Sequence, residues 1–352
     1  MIKKQLKKIR LYLPQLLFSP WGMINLVSYL RSKDKVTVKH HPISLTCYVT
    51  DRCNLSCRMC LRNDHRLKDL QHSELPDMSY DFFKRILQIL NKSVFCIFAG
   101  QGEPLLNKEI FAMIKLARDK RKVTGLLTNG TLLDKEKAGE ILKSGLNYLN
   151  ISLYGIDENS FSLATGSPGS TFTEIIQNIN NLIKQKTKAR SGLKVSISYL
   201  CSKNNLMDAE KVLKLGEQIG VDHVYLSNLF PYDFLEQASG KNLIFADDPE
   251  VSEALASLAK RFRRIIKFDL PVALKKTEFN RYCSFQYRNI SVDAVGNVVG
   301  CCKVFNPDER FGNVFKDSDF YNSVHFMRIR RLFLDKTREL PIYCKRCTEL
   351  SR

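Results

Sequence analysis

The stretch Cys53-Asn-Leu-Ser-Cys57-Arg-Met-Cys60 decides how the rest of the chain is interpreted, because it places three cysteines within eight residues. It follows a strand-like run that ends at Thr50. Thiolates this close together converge on a soft acceptor such as an iron–sulfur cluster, zinc or copper(I). A structural zinc site is closed by four ligands, whereas three ligands leave one position open. The spacing therefore predicts an open metal centre.

Outward from this stretch, strand-like and helix-like segments alternate from residue 43 onward. Short apolar strands that alternate with amphipathic helices predict an α/β protein with a parallel sheet and helices outside it. In parallel barrels the functional groups lie at the carboxyl ends of the strands. The predicted strands are Ile43–Thr50, Val94–Ala99, Val123–Leu127, Tyr148–Leu153, Lys194–Cys201 and His223–Ser227. The predicted helices are Ser79–Asn91, Lys108–Lys120, Asp134–Ser144, Thr171–Lys186 and Asp208–Ile219.

Polar motifs follow these strands, as the carboxyl-end rule expects. The second strand leads into Gly100-Gln101-Gly102-Glu103, where the glycines allow a close backbone approach and Glu103 supplies a carboxylate. Asn129 follows the third strand, Ser152 ends the fourth, and Asn204 follows the fifth. Ordinary turn chemistry accounts for Asn129 and Ser152 equally well, because both residue types are common at strand ends.

Taken together, the C-x3-C-x2-C run and the G-x-G-E run resemble the radical S-adenosylmethionine (SAM) superfamily. That resemblance implies a partial (β/α)6 TIM-type barrel in which Cys53, Cys57 and Cys60 hold a [4Fe–4S] cluster whose fourth iron binds SAM. Met59 stands where the family usually has an aromatic residue, which leaves open only the packing contact on the adenine. The residues that the resemblance assigns to SAM are Gly100, Gly102, Glu103, Asn129, Ser152 and Asn204.

A second cysteine set occupies the C-terminal part of the chain. Residues 289–301 alternate around a turn at Gly296-Asn297, which predicts a β-hairpin delivering Cys301. With a helix over 322–334, the pattern resembles the SPASM module or its shorter twitch version, a small α+β iron–sulfur module. An auxiliary [4Fe–4S] cluster is implied, with zinc as the rival. Cys302 competes with Cys301, but only Cys301 keeps the G-x4-C spacing. The implied ligands are Cys283, Cys301, Cys344 and Cys347.

The other cysteines and the domain order complete the sequence-based interpretation. Cys47, Cys96 and Cys201 lie within predicted strands and are expected in the core. We expect an N-terminal extension over 1–42 and a barrel over 43–245. A helical linker over 246–280, with its helix at 249–267, leads to the auxiliary module over 281–352.

Charge is concentrated in the N-terminal extension. The 352-residue chain has a net charge of +19, and residues 1–40 hold nine Lys/Arg against one Asp. Such an excess favours nucleic acid, anionic lipid or phosphorylated substrates. Two prolines, Pro14 and Pro20, interrupt the apolar run over 11–30, which makes it poorly suited to span a bilayer. We expect a cytoplasmic protein whose leader packs on the barrel as a helix or, through residues 1–30, contacts a membrane surface peripherally.

For function, the resemblance implies reductive cleavage of SAM to a 5′-deoxyadenosyl radical, which abstracts hydrogen from the substrate. The expected partners are a reductant such as flavodoxin or ferredoxin and a small-molecule (sugar- or nucleotide-like) or peptide substrate. An auxiliary cluster closed by four thiolates suits electron transfer, so an oxidoreductase is the leading expectation. An RNA-modifying enzyme and a non-catalytic zinc protein are the alternatives. The sequence assigns no catalytic acid or base.

Overall fold

The computed structural model describes residues 20–32, 35–63, 75–229, 242–275, 281–301, 310–341, 344 and 347–350. Within these residues the strands belong to one sheet. Two predicted strands match the structure residue for residue, and the other four shift at one or both ends. The strands are β1 (Ser44–Tyr48), β2 (Phe95–Ala99), β3 (Val123–Thr128), β4 (Tyr148–Leu153), β5 (Lys194–Cys201), β6 (His223–Asn228), β7 (Phe268–Asp269), β8 (Asn289–Val292) and β9 (Val298–Val299).

The sheet runs in the order β7-β6-β5-β4-β3-β2-β1-β8-β9, so its two edge strands do not close on each other. Neighbours from β7 to β8 pair in parallel, and β9 alone is antiparallel. This arrangement confirms the α/β fold class with a partial, open barrel. It also brings the carboxyl ends of β1 to β6 to one rim, where loop residues can meet.

Helices connect the parallel strands and cover one face of the sheet. Burial alternates along β4, with Leu149, Ile151 and Leu153 fully buried and the residues between them half-buried. The helices are α1 (Pro20–Ser32), α2 (Tyr80–Ile89), α3 (Ile110–Asp119), α4 (Lys135–Ser144), α5 (Glu158–Thr165), α6 (Ser170–Lys188), α7 (Ala209–Ile219), α8 (Pro249–Phe262), α9 (Phe285–Arg288) and α10 (Val324–Leu334).

Local sequence sets where these helices begin and end. Asp134 caps α4, because its carboxylate accepts the Lys137 amide at 2.8 Å, and Gly145 ends the helix with a left-handed φ of +72°. Asp157 and Ser160 form a reciprocal capping box at the start of α5. That short helix was not predicted.

The linker differs from its prediction. Helix α8 ends at Phe262, not at Lys267, and β7 then pairs in parallel with β6. A stretch expected to be a linker therefore extends the sheet by one strand.

The predicted hairpin is present, with β8 and β9 antiparallel. Its unexpected feature is that β8 pairs in parallel with β1, with Asn289 opposite Ser44 and Val292 opposite Cys47. The hairpin that precedes Cys301 is thus continuous with the sheet that carries the three-cysteine loop.

Residues 20–32 pack on the barrel as a helix. Asn25 accepts the His41 amide at 2.7 Å and donates to the Lys92 carbonyl at 3.2 Å, while Leu26 and Tyr29 are buried. Residues 1–19 lie outside the described part of the chain. No helix in that part is long and apolar enough to cross a bilayer.

Candidate active site

The three-cysteine loop follows β1 at the carboxyl rim. Its turn is closed by the Cys60 amide, which donates to the Cys57 carbonyl at 3.0 Å. The Arg58 amide donates to the Ala164 carbonyl of α5 at 2.9 Å, and the Asn63 side chain donates to the Cys57 carbonyl at 3.1 Å. The backbone groups of the loop thus bond to one another and to α5, and these bonds define its shape.

The approach to this loop is also fixed. Thr50 donates its hydroxyl to Asp77 at 2.6 Å, and the Arg52 guanidinium pairs with the same carboxylate. The Asn107 side chain donates to the Val49 carbonyl at 2.9 Å. These contacts anchor the segment between β1 and Cys53.

The three thiols lie close enough to interact electrostatically. Burial, followed by the neighbouring Cys60 and Cys53, raises the pKa of Cys57 to about 12. Burial likewise raises the pKa of Cys60. A bound metal reverses this preference, because its positive charge deprotonates coordinating thiols.

The donor set consists of three thiols on one short loop. In an iron–sulfur cluster each cysteine binds a different iron atom. Three thiols from this loop therefore suit three irons of a [4Fe–4S] cluster. Among the described residues, no three His, Cys, Asp or Glu side chains come together closely enough to hold a single metal ion.

The β2 loop packs directly against the approach to the cysteines. A Cβ atom on Gly102 would lie 2.4 Å from the Arg52 carbonyl oxygen and 2.5 Å from that of Thr50. Gly100 has a φ of +143°, which residues with a side chain rarely adopt. The Glu103 amide donates to the Arg52 carbonyl at 2.7 Å. Both glycines are thus needed for the two loops to meet.

The Glu103 carboxylate bonds to the protein itself. One oxygen accepts the Thr128 hydroxyl at 2.7 Å and the Leu105 amide at 3.0 Å, and the other accepts the Asn129 amide at 2.7 Å. Burial raises its pKa, and these hydrogen bonds oppose the shift. The carboxylate therefore joins the β2 and β3 loops, a role that the sequence did not indicate.

Asn129 faces the cysteine loop. Its side-chain Nδ2 donates to Asn54 Oδ1 at 3.0 Å and lies 3.9 Å from the Cys53 sulfur. Its side-chain Oδ1 accepts the Thr131 backbone amide and hydroxyl at 3.0 and 2.7 Å. The side chain that was assigned to SAM thus contacts residues of the cluster loop.

The structure places Ser152 and Tyr154 near the cysteines as well. Burial raises the pKa of the Tyr154 phenol, and the nearby Cys57 raises it further. The hydrogen bond between Tyr154 and Ser152 opposes this shift. Sequence analysis missed Tyr154, although its position directly after β4 was a usable signal. Asn204 is instead exposed and donates to Asn242 at 2.9 Å, a contact that does not join it to the other motifs.

Below this rim, the sheet face opposite α3, α4 and α6 carries polar side chains. Asn150 donates to the Ser198 hydroxyl at 3.0 Å and accepts the Ser196 hydroxyl at 3.0 Å. Ser152 continues the same face of β4 toward the cysteine loop, because alternate residues of a strand share a face. Hydroxyl and amide groups therefore lead from the barrel interior to the candidate cluster site.

The second cysteine set also converges in part. Cys283 and Cys347 are both buried. Burial raises the pKa of Cys283 to about 12; a backbone hydrogen bond opposes this shift, and the nearby Cys347 adds to it. Gln286 donates to the Gly300 carbonyl at 3.2 Å, which ties the residue before Cys301 to α9. The Cys347 amide donates to the Cys344 carbonyl at 3.1 Å. Cys302 lies outside the described residues.

A buried arginine holds this second region together. Arg330 of α10 is fully buried and donates to the carbonyls of Gln286 and Val36 and to the Asn322 side chain, at 3.0 to 3.2 Å. Its guanidinium also lies 4.9 Å from the Tyr321 ring centre. Arg330 thus joins the segment after Cys283 to the N-terminal part of the chain.

The remaining strand cysteines belong to the core, as predicted. Cys47, Cys96 and Cys201 are fully buried in β1, β2 and β5. Fold and cysteines together define a class: an open α/β barrel with a three-cysteine loop at its carboxyl rim and a second set of cysteines in its C-terminal part.

Comparison with known proteins names that class. Residues 47–216 match the model of the radical SAM superfamily, and residues 283–348 match SPASM, an iron–sulfur cluster-binding domain. The chain belongs to the radical SAM superfamily and carries a SPASM domain. Its cofactors are accordingly SAM, a [4Fe–4S] cluster and an auxiliary iron–sulfur cluster.

Individual relatives are distant. The tungsten-containing aldehyde ferredoxin oxidoreductase cofactor-modifying protein of Pyrococcus furiosus is 25% identical, over 86% of this chain and 85% of its own. Pre-heme d1 synthase of Dinoroseobacter shibae is 29% identical over 51% of this chain and 42% of its own. The fold resembles Streptococcus suis SuiB bound to precursor peptide SuiA, with a TM-score of 0.65, 15% identity, and coverage of 87% and 70%.

Proposed function

We propose that this radical SAM enzyme oxidises a polar substrate held in the open barrel, and that an electron leaves through the auxiliary cluster. One observation carries the proposal. The cysteine loop, the Gly102-Glu103 loop and the Asn129 loop interlock at the barrel rim, directly above a polar sheet face.

In this proposal the chain's own residues prepare the site. Cys53, Cys57 and Cys60 hold the cluster, which when reduced supplies the electron that cleaves SAM to methionine and a 5′-deoxyadenosyl radical. Glu103 positions the β3 loop, and the backbone of the Gly100–Glu103 loop would contact SAM. The resemblance assigns these residues to SAM binding, and their contacts with the cysteine loop support that assignment.

The auxiliary cluster has a separate task. Cys283, Cys301, Cys344 and Cys347 would fill all four iron positions, so that cluster has no site for substrate. Hydrogen abstraction leaves a substrate radical. When bound, the auxiliary cluster would accept one further electron, and loss of a proton would complete a two-electron oxidation of the substrate. A reductant of the flavodoxin or ferredoxin type would supply the first electron.

For the substrate we favour a peptide. Asn150, Ser196 and Ser198 offer uncharged donors and acceptors that suit backbone amides. SuiB, whose structure contains a bound precursor peptide, shares the fold. A sugar- or nucleotide-like molecule is the second candidate, supported by the basic charge of the chain.

The test is anaerobic reconstitution followed by turnover against a mixed library of peptides and metabolites. We expect about eight irons per chain, visible absorption, and one product that has lost two hydrogens. A colourless zinc protein, or product that retains both hydrogens, would contradict the proposal.

A further inference from the structure

Helix α1 presents an apolar face that the barrel does not cover. Its buried side supplies Leu26 and Tyr29 to the core. On the opposite side, Ile24, Val27 and Leu30 are 61%, 43% and 42% exposed. Spaced by three residues, these side chains lie on one face of the helix. Packing against the barrel therefore accounts for only one side of this helix.

Basic residues line the same surface. A groove of about 580 Å³ is bordered by Ile24 and Val27 and by three exposed basic residues, Arg31, Lys35 and Lys39. Their long side chains can lie along apolar surface while the charged ends reach an anionic layer. The surface thus combines exposed apolar side chains with a cationic border.

The charge argues against covering this face with the chain itself. Residues 1–19 contain five Lys/Arg and no Asp or Glu, so seating them here would bring like charges together. A second copy of the chain would bring the same basic border. Nucleic acid matches the charge but not the exposed aliphatic groups.

From this surface we infer that α1 docks the enzyme on an anionic lipid bilayer, with Ile24, Val27 and Leu30 among the acyl chains and the basic border on the phosphates. Amphipathic helices of this composition lie in the membrane interface and do not span it. Attraction to anionic lipid makes the contact selective for membrane charge. Asn25 of α1 bonds to His41 and Lys92, which precede β1 and β2, so the docked face lies at the amino ends of these strands. The carboxyl rim at their other end would stay open to substrate while the enzyme is docked.

The test is co-sedimentation of the reconstituted full chain with vesicles of phosphatidylcholine alone or mixed with phosphatidylglycerol. Binding should require the anionic lipid and weaken with added salt. The triple substitution Arg31→Ser, Lys35→Ser, Lys39→Ser should lower partitioning on the order of 100-fold, at about fivefold per basic residue. Ile24→Ser, Val27→Ser, Leu30→Ser should abolish it at any salt concentration.

Matched controls separate this surface from general properties. Met207→Ser, Ile265→Ser, Val324→Ser removes three apolar side chains elsewhere that are on average more exposed. Lys115→Ser, Lys184→Ser, Lys188→Ser removes the same number of exposed positive charges. Both controls should bind as the unchanged protein does, with unchanged iron content. Failure of the unchanged chain to bind anionic vesicles would overturn the inference, as would equal loss in the controls. So would dimerisation or RNA binding that depends on Ile24, Val27 and Leu30 without vesicle binding.

Discussion

The two cysteine sets are built in opposite ways. The loop from Cys53 to Cys60 takes its three thiols from eight consecutive residues, and the neighbouring strand ends hold it in place. The set from Cys283 to Cys347 is collected from separated segments by a hairpin, a short helix and the buried Arg330. The first site therefore depends on local backbone geometry, and the second on tertiary packing.

This difference in construction predicts different functional roles for the two sites. A compact loop can leave one coordination position free because its shape does not depend on a fourth ligand. A dispersed set of four thiols gains most from a closed cluster, which cross-links the segments that supply it. We therefore expect substitutions at the first site to affect SAM chemistry, and those at the second to affect turnover or stability.

The largest separation between the two sites should come from Cys344→Ala. Removing one auxiliary ligand should stop product formation while SAM cleavage continues, because Cys53, Cys57 and Cys60 are untouched. Chromatography of 5′-deoxyadenosine and of product measures both. Cys201→Ala removes a buried thiol that belongs to neither set and should keep both activities. Full turnover by Cys344→Ala would erase the proposed distinction.

Next in size is Gly102→Ala at the first site. The added methyl would lie 2.4 Å from the Arg52 carbonyl oxygen, so the β2 loop must move away from the cysteine loop. A displacement of this kind costs roughly 100-fold in rate. SAM cleavage kinetics measure it, and Gly192→Ala is the control because nothing lies within 4 Å of its added Cβ. Equal kinetics for the two variants would show that the loops need not interlock.

At the second site, Arg330→Met should act on stability. The substitution leaves the Gln286 and Val36 carbonyls without their buried donor, a loss of about 3 kcal/mol. In urea the auxiliary cluster should be released before the SAM-binding cluster, as followed by iron content and absorption. Arg331→Met, on the exposed side of α10, should change stability by about 0.5 kcal/mol or less. Simultaneous release of both clusters would mean that Arg330 does not support the second set selectively.

The smallest expected effect is on how the free energy of unfolding depends on pH, and it comes from His40. The His40 side chain donates to the Tyr287 carbonyl at 2.6 Å. Burial lowers the pKa of His40 from 6.5 to about 4. The unfolded chain therefore takes up this proton near pH 6.5, and the folded chain does so only near pH 4. The stabilisation that results from this difference should be complete above pH 6.5 and be lost as the pH falls to 4.

Urea unfolding of His40→Gln measures this contribution, because glutamine can still donate but does not titrate. The variant should show a flatter stability profile between pH 6.5 and 4 than the unchanged protein. Exposed His325, substituted in the same way, should leave the profile unchanged. Parallel profiles for His40→Gln and the unchanged protein would contradict the assigned role.

Local patterns predicted the elements and the first cysteine set well. Strands Tyr148–Leu153 and Lys194–Cys201 were predicted residue for residue, because alternation and flanking turns mark a half-buried strand clearly. The three-cysteine motif is contiguous, so its proximity needs no knowledge of the fold.

The features that the sequence did not predict depend on contacts between residues that are distant along the chain. The pairing of β8 with β1 joins residues about 240 positions apart, and no local pattern specifies it. The same holds for Glu103, whose carboxylate bonds to Thr128 and Asn129 across two loops. Tyr154 was missed because it becomes a candidate site residue only through its proximity to Cys57 in the folded chain.

The most direct test of the account is 5′-deoxyadenosine formation by Cys57→Ala beside the unchanged protein, both reconstituted anaerobically and supplied with reductant and SAM. The account predicts that the variant forms none, while it keeps the iron of the auxiliary cluster, about four per chain. Equal SAM cleavage by the two proteins would contradict the central claim that the three-cysteine loop starts the reaction.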